Sequence, residues 1–352
     1  MKVVHLLPAL EQGGVESVVC DLVRALPDVE SVVVSNGGRL VTRVLAAGGR
    51  HVALDLKSKN PLTYFSRVWR LRRVLRSERP DLVCVHSRVP AWLYVGVRKL
   101  DSVARMLGLP VAESPWISYA HGANSVSRYS EVMTKGDLVV APSKFLADYL
   151  KTNYRITDAK IRVVPNPVDT ERFDPARLDR SFVAAKLREW GIRDGDRVTM
   201  AIGRITPVKG LEGVIKRVGR GETLVVVGGA DKGHQQYLES LEKLARALES
   251  ESGGDRRIVF AGAQEKIPEC ISMADEIVSG NVTKPETFGL SVVEAYAMNK
   301  PVRVARRFGG VAEVMREVEQ TGCATLREAV LRLYGMDRFA ERTMAVYREC
   351  CA

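Results

Sequence analysis

The segment DEIVSGNVTKPETFGLSVVEAYA (275–297) holds two glutamates, Glu286 and Glu294, on either side of a Phe-Gly pair. DEIVSG (275–280) reads as a short buried strand, and the KPETFGLSVVEAYAM stretch that follows reads as a turn entering an apolar helix near Phe288. A strand that runs into a helix is half of a βαβ unit. Repetition of that unit predicts a parallel sheet covered by helices.

The alternation extends in both directions from this segment. RVTMAIG (197–203), ETLVVVGG (222–229) and RIVFAG (257–262) precede it, and PVRVA (301–305) follows it. A second set lies upstream: VVHLL (3–7), SVVVS (31–35), HVALDL (51–56), DLVCVH (81–86), WISYA (116–120) and DLVVA (137–141). Between the two sets, IRVVPNPVD (161–169) carries two prolines, which interrupt any helix and mark a crossing segment. The expected fold is therefore α/β, with two Rossmann-like domains at 1–165 and 166–335 that face each other across a cleft. A last helix, about 336–352, has apolar residues at Met336, Phe339, Met344, Val346 and Tyr347. It can pack back on the first domain or on the second.

Length and composition agree. The 352 residues suit two domains of roughly 150 residues each. A hydrophobic content of 46% and a mean hydropathy of −0.07 fit a soluble globular protein. No apolar run approaches the ~20 residues of a membrane span, and the first residues read as a strand rather than a secretory signal. Of six cysteines, Cys20, Cys84 and Cys270 lie in apolar surroundings like reduced core thiols, and Cys350 and Cys351 read as fraying tail residues, with a metal or redox feature as the other reading. A cytoplasmic location is expected.

The net charge of +11 is uneven. Residues 1–170 hold 24 Lys and Arg against 15 Asp and Glu, and residues 171–352 hold 29 against 27. The first half either meets something anionic or has a basic surface. No zinc spacing or RNP-like signature accompanies the charge, so nucleic acid is not expected as a partner. TYFSRVWRLRRVLRSERPD (63–81) reads as a helix whose Tyr64, Val68, Leu71 and Leu75 face the sheet. Phe65, Trp69, Arg72, Arg73 and Arg76 lie opposite. That face suits an anionic lipid surface or a phosphorylated glycolipid, and equally a solvated cationic helix.

Open parallel sheets bind ligands beyond the carboxyl ends of their strands, so the loops after strands are the informative ones. Gly13 and Gly14 precede a helix beginning near Val15 and let backbone N–H groups approach an anion; a plain tight turn fits as well. Arg204 and Lys209, in GRITPVKGLEGVI, can embrace a diphosphate, although alone they also read as surface cations. Glu286 lies just outside the expected helix and Glu294 about two turns inside. Glu286 can accept hydrogen bonds from sugar hydroxyls, Glu294 can clasp a ribose, and the N–H groups between them can serve phosphates. That set matches the three parts of a nucleotide sugar.

These motifs resemble the GT-B glycosyltransferases of the family 4 type, which are retaining and use nucleotide-diphosphate sugars. The resemblance runs in order through GGVE (13–16), HG (121–122), APSKF (141–145), VVPNPVDTERFDP (163–175), GRITPVKG (203–210), VVVGG (225–229), IVFAG (258–262), PETFGLSVVEAYA (285–297), PV (301–302) and FGGVAEV (308–314). It implies catalytic roles for Glu286, Arg204, Lys209 and His121, the last beside the donor sugar. A buried histidine bonded to backbone is the other reading of His121. It implies donor binding by Gly13, Gly14, Glu294 and the backbone amides of Phe288, Gly289 and Leu290, with the base held near Gln264–Ile267.

The resemblance also implies no cofactor and no metal, a UDP- or GDP-type sugar as co-substrate, and front-face attack by the acceptor. The acceptor is expected to be a glycan or glycolipid, as in lipopolysaccharide or envelope polysaccharide synthesis, with the protein peripheral on the inner face of the membrane. The alternatives are a GT-B nucleotide-sugar epimerase and a non-catalytic nucleotide-sugar or glycan-binding protein. The chain departs from the family at Asn299, where a glycine is usual, at Arg303, Arg306 and Arg307, and in the short segment after Glu313.

Overall fold

The structure is a computed structural model that describes every residue except Gln12, Pro110 and Ala112. The chain divides into two compact units. One comprises Met1–Pro167 together with Met336–Ala352, and the other Val168–Gly335.

The first unit contains a parallel sheet of β1 (Lys2–Leu6), β2 (Glu30–Ser35), β3 (Arg50–Ala53), β4 (Leu82–Val85), β5 (Trp116–Tyr119), β6 (Leu138–Ala141) and β7 (Ile161–Val163), in the order β3-β2-β1-β4-β5-β6-β7. Strand side chains alternate between faces, and both faces here are covered. Val3, Cys84 and Ile117 pack on one side with Val18 and Leu22 of helix Gly14–Ala25 and with Phe339, Val346 and Tyr347 of helix Met336–Cys351. Val4, Leu6, Val83 and Val85 pack on the other with Val68, Leu71, Leu93 and Val97 of helices Tyr64–Glu78 and Arg88–Met106. Burial on both faces explains why these strands read as continuous apolar runs rather than alternating ones.

Two details differ from the sequence reading. β7 is a strand within the segment read only as a crossing; its three residues end before Pro165, since proline cannot donate to a ladder. The terminal residues are helical to Cys351, and Cys350 packs against the core of the first unit instead of fraying.

The second unit holds β8 (Arg197–Ile202), β9 (Glu222–Val227), β10 (Arg256–Gly262), β11 (Glu276–Ser279) and β12 (Val302–Val304), all parallel, in the order β10-β9-β8-β11-β12. Each sheet starts in its middle, grows to one edge and then crosses to the other side. The order therefore reverses between β1 and β4 and again between β8 and β11. Such a switch point leaves a crevice at the carboxyl ends of the two strands, because the following helices go to opposite faces.

Candidate functional site

In the second unit the switch point collects the loops after β8 and β11. The β8 loop passes Arg204 and turns through the short helix Pro207–Lys209. The β11 loop is held by buried Asn281, whose Nδ2 donates to the Lys284 carbonyl at 2.6 Å while its Oδ1 accepts from the Thr283 and Lys284 N–H groups. The two loops meet in an ion pair: Lys209 Nζ lies 2.5 Å from Glu286 Oε1, with 31% and 25% of the respective side chains exposed. Arg204 is exposed and stands in no ion pair among the described residues. Its charge reaches Asp231, whose carboxyl lies below its ordinary range chiefly through its bond to His234. An Asp-x-Asp triplet, Asp194–Gly195–Asp196, is at the opposite end of β8, where Asp196 Oδ2 accepts from the Arg193 N–H at 2.9 Å.

The helix after Glu286 starts later than the sequence reading placed it. It spans Leu290–Ala297 with Gly289 as its N-cap, so Glu294 sits about one turn inside rather than two. Gly289 is left-handed (φ 97°), and a β-carbon there would come 2.7 Å from Val311 Cγ2. No capping side chain satisfies this helix start, whose first N–H groups have no partner inside the helix. Phe288 is buried and meets Tyr334 edge-on at 5.5 Å, and half-buried Leu290 packs on the same core. Both therefore have only backbone groups to offer a ligand. Glu294 is half-buried on the helix.

A feature the sequence reading left without a role fixes this turn. Gly310, in helix Gly309–Glu319, donates its N–H to the Glu286 carbonyl at 2.8 Å. A β-carbon on Gly310 would collide with the Thr287 carbonyl. The Phe-Gly-Gly sequence at 308–310 was the available signal: paired glycines at a helix start mark a close backbone approach.

In the expected base-binding loop, Gln264 is turned onto its own backbone, Nε2 to the Ala261 carbonyl at 2.5 Å, and Lys266 pairs with Asp179 at 2.6 Å.

In the first unit, helix Gly14–Ala25 begins at Gly14, one residue before the expected start, with Gly13 as its extended N-cap. Gln12 of the preceding loop lies outside the described residues. His121 follows β5 and is half-buried. Its Nε2 lies 3.1 Å from His86 Nδ1, and His86 Nε2 lies 3.1 Å from His5 Nδ1. His86 also stacks on Tyr119, ring centroids 4.6 Å apart. Burial lowers His5 and His121 to about 4 and holds His86 well below its ordinary value. The sequence reading found His121 but not its two partners, since a lone histidine in VVHLL or DLVCVH reads as part of a core strand.

On helix Tyr64–Glu78, Val68, Leu71 and Leu75 are buried, while Phe65 is 77% and Trp69 57% exposed. Arg73 lies over the Trp69 ring at 6.0 Å. Arg72 does not belong to the free face expected for it. Its Nε donates to Asp101 Oδ1 at 2.6 Å across to helix Arg88–Met106. Long side chains lean toward the N-terminal turn of their helix, which brings this arginine to the helix–helix seam. Leu62, at 90% exposure, extends the apolar patch. Among the described residues no helix is long and apolar enough to cross a membrane.

Comparison with known proteins agrees with this anatomy. Residues 12–172 match the family model Glycosyltransferase Family 4, and residues 183–326 match Glycosyl transferases group 1. A D-inositol 3-phosphate glycosyltransferase of Nocardia farcinica is 27% identical over 197 residues, which cover 53% of this chain and 41% of that protein. The chain thus spans about two fifths to one half of the length of the curated relatives it matches. Among solved structures, a glycosyltransferase from Rickettsia africae aligns over 99% of this chain and 98% of its own, with TM-score 0.81 and 21% identity. HepE of Anabaena, solved in complex with UDP-glucose, aligns over 99% and 100%, with TM-score 0.76 and 17% identity. With two parallel-sheet α/β domains and both family matches in order, the chain belongs to the GT-B glycosyltransferases of the family 4 type.

Proposed function

We propose that the protein transfers a sugar from a nucleotide-diphosphate sugar to a hydroxyl acceptor with retention of anomeric configuration. The observation that carries this reading is the meeting of Lys209 and Glu286 at the second unit's switch point, just before a helix start with no capping side chain. A cation, a carboxylate and backbone N–H groups in one place are the groups that a leaving diphosphate and a sugar require. Lys209 and Arg204 stabilise the negative charge that builds on the diphosphate as the glycosidic bond lengthens. The N–H groups of Phe288, Gly289 and Leu290 add the positive end of the helix dipole. Glu286 accepts from sugar hydroxyls, and Glu294 accepts from the ribose.

The acceptor oxygen attacks on the face that the diphosphate leaves, and the departing phosphate oxygen takes its proton. We assign His121 to the donor sugar and the Gly13–Gly14 backbone to its phosphates. The co-substrate is a UDP- or GDP-type sugar; HepE, a protein of the same fold, binds UDP-glucose. The acceptor is a glycan or glycolipid presented at an anionic membrane face, for which exposed Phe65, Trp69 and Arg73 form the contact. A phosphorylated polyol is the second acceptor class, favoured by the curated relatives' action on D-inositol 3-phosphate.

A thermal-shift panel of nucleotide sugars tests the reading. A true donor at 100 times its Kd stabilises the fold by about 2.7 kcal/mol. Slow donor hydrolysis without acceptor separates a transferase from a binding protein, and interconversion at C2 of the sugar would instead indicate an epimerase. No stabilisation by any nucleotide sugar would overturn the assignment.

A further inference from the structure

We propose that His5 and His86 are positioning residues for His121, and that the row of three imidazoles fixes the tautomer in which His121 carries its proton on Nδ1. The row lies at the first unit's own switch point. His5 is in β1, His86 follows β4 and His121 follows β5, and these strands are neighbours in the sheet. Each contact joins Nδ1 of one ring to Nε2 of the next, at 3.1 Å both times.

A neutral imidazole has one donor nitrogen and one acceptor nitrogen. Each contact in the row therefore needs one proton, and the direction of the first sets the direction of the second. Three neutral rings hold three protons for two contacts. The remaining proton belongs at one end, on His5 Nε2 or on His121 Nδ1.

The two ends differ. His5 is 1% exposed, and among the described residues its side chain bonds only to His86. A buried N–H without an acceptor costs about 1–3 kcal/mol, more than leaving a weakly basic lone pair bare. His121 is half-buried at the loop end, so an N–H there is less cut off from solvent than one on His5. The lower-energy arrangement thus has His5 Nδ1–H donating to His86 Nε2, His86 Nδ1–H donating to His121 Nε2, and the third proton on His121 Nδ1. This is the less populated tautomer of free histidine in water, so the row does work that an isolated ring would not.

The consequence for transfer rests on the reading that His121 lies beside the donor sugar; the tautomer itself does not. In the proposed reaction positive charge develops on the sugar ring. An imidazolium there would oppose it, whereas a neutral donor can hold a sugar oxygen without adding charge. Burial of all three rings, which favours their neutral forms, is consistent with that role.

The test is a long-range proton–nitrogen correlation spectrum of the full chain labelled with nitrogen-15 histidine at pH 7.5. Assignment comes from single variants. All three residues are expected as Nδ1–H tautomers without bound ligand. A proton on Nε2 of His121, or averaging between its nitrogens, overturns the proposal. His86→Phe keeps the ring and removes both nitrogens, and should move His121 toward the Nε2–H form. It should also lower kcat by about tenfold or more while the donor KM stays within about twofold. His86→Gln, whose amide accepts from His5 and donates to His121, should restore most of both readouts. An unchanged His121 tautomer in His86→Phe also overturns the proposal. If His86→Phe does not fold, the spectrum of the unaltered chain still decides. If the unaltered chain transfers no sugar, the functional reading fails separately from the tautomer.

Discussion

Lys209 and Glu286, 77 residues apart in sequence, form one ion pair at 2.5 Å. The cation assigned to the diphosphate thus holds the carboxylate assigned to the sugar hydroxyls. The pair is partly shielded, since roughly a quarter to a third of each side chain is exposed. It therefore fixes the position of both groups more than it stabilises the fold. Removing the lysine removes an aligned charge-stabilising donor and also frees Glu286. Lys209→Ala should lower kcat by about two to three orders of magnitude. Steady-state kinetics with the donor found by thermal shift check this, and near-normal turnover would remove Lys209 from the role.

Glu294 is on the helix that follows Glu286, Leu290–Ala297, and is assigned a different task. On the proposed reading it binds the part of the donor that does not change during reaction, so its loss should weaken ground state and transition state alike. Glu294→Ala should weaken nucleoside-diphosphate binding by about tenfold or more, the value of hydrogen bonds to a charged acceptor, and leave kcat nearly unchanged. Titration calorimetry with the diphosphate measures the first, and saturating-donor kinetics the second.

The parts of this site readable in the sequence were those whose chemistry is carried by side-chain type. Arg204, Lys209, Glu286 and Glu294 stand out because charges after apolar strands have few structural uses. The strands were readable because both sheet faces are buried, which makes each one a continuous apolar run. What escaped depended on distant contacts. His5 and His86 join His121 only because β1, β4 and β5 are neighbours, an order set by crossover connections rather than by local composition. Arg72 was assigned to the open face because helical spacing places it there. Its bond to Asp101 comes from a second helix, 29 residues away in the chain. The helix start moved from Phe288 to Leu290 because the Phe288 ring is needed in the core and Gly289 takes a left-handed conformation.

Gly310 allows the Glu286 turn to lie against helix Gly309–Glu319. A methyl group there meets the Thr287 carbonyl, which is backbone and cannot rotate away. Gly310→Ala should cost about 1–3 kcal/mol of stability through overpacking and raise the donor KM by displacing Glu286. Urea unfolding and donor kinetics should change together. A stable variant with unchanged KM would show that the turn is not held this way.

Phe65 and Trp69 each present more than half of their surface to solvent on a helix that also exposes Arg70, Arg73 and Arg76. Inserting one such side chain into a membrane interface is worth about 1.5–3 kcal/mol, and the arginines add attraction to anionic headgroups. The protein should sediment with vesicles containing phosphatidylglycerol and not with pure phosphatidylcholine. Phe65→Ser and Trp69→Ser should each weaken that binding by about tenfold. No sedimentation with either vesicle would reassign this face to solvent.

The buried histidines make the first unit sensitive to acid. His5 and His121 are lowered by burial from 6.5 to about 4, and His86 is also held well below its ordinary value. Above pH 6.5 these groups are neutral in folded and unfolded chains alike, so their burial costs nothing there. Below pH 6.5 the unfolded chain binds protons that the folded chain does not, and stability falls until the folded groups titrate near pH 4. Each histidine contributes at most about 1.4 kcal/mol per pH unit in that window. His51, lowered by burial against the raising effect of its Ser35 bond, acts in the same direction. The carboxylates held below their ordinary range, Glu30, Asp179, Asp231 and Glu349, also favour the folded state at higher pH. They lose that contribution only at lower pH, so the window between pH 6.5 and 4.5 belongs mainly to the histidines. Urea midpoints measured across it should fall steeply, and His86→Phe should reduce the slope by about one proton. A flat profile down to pH 5 would mean that the three rings are charged or solvated in the folded protein.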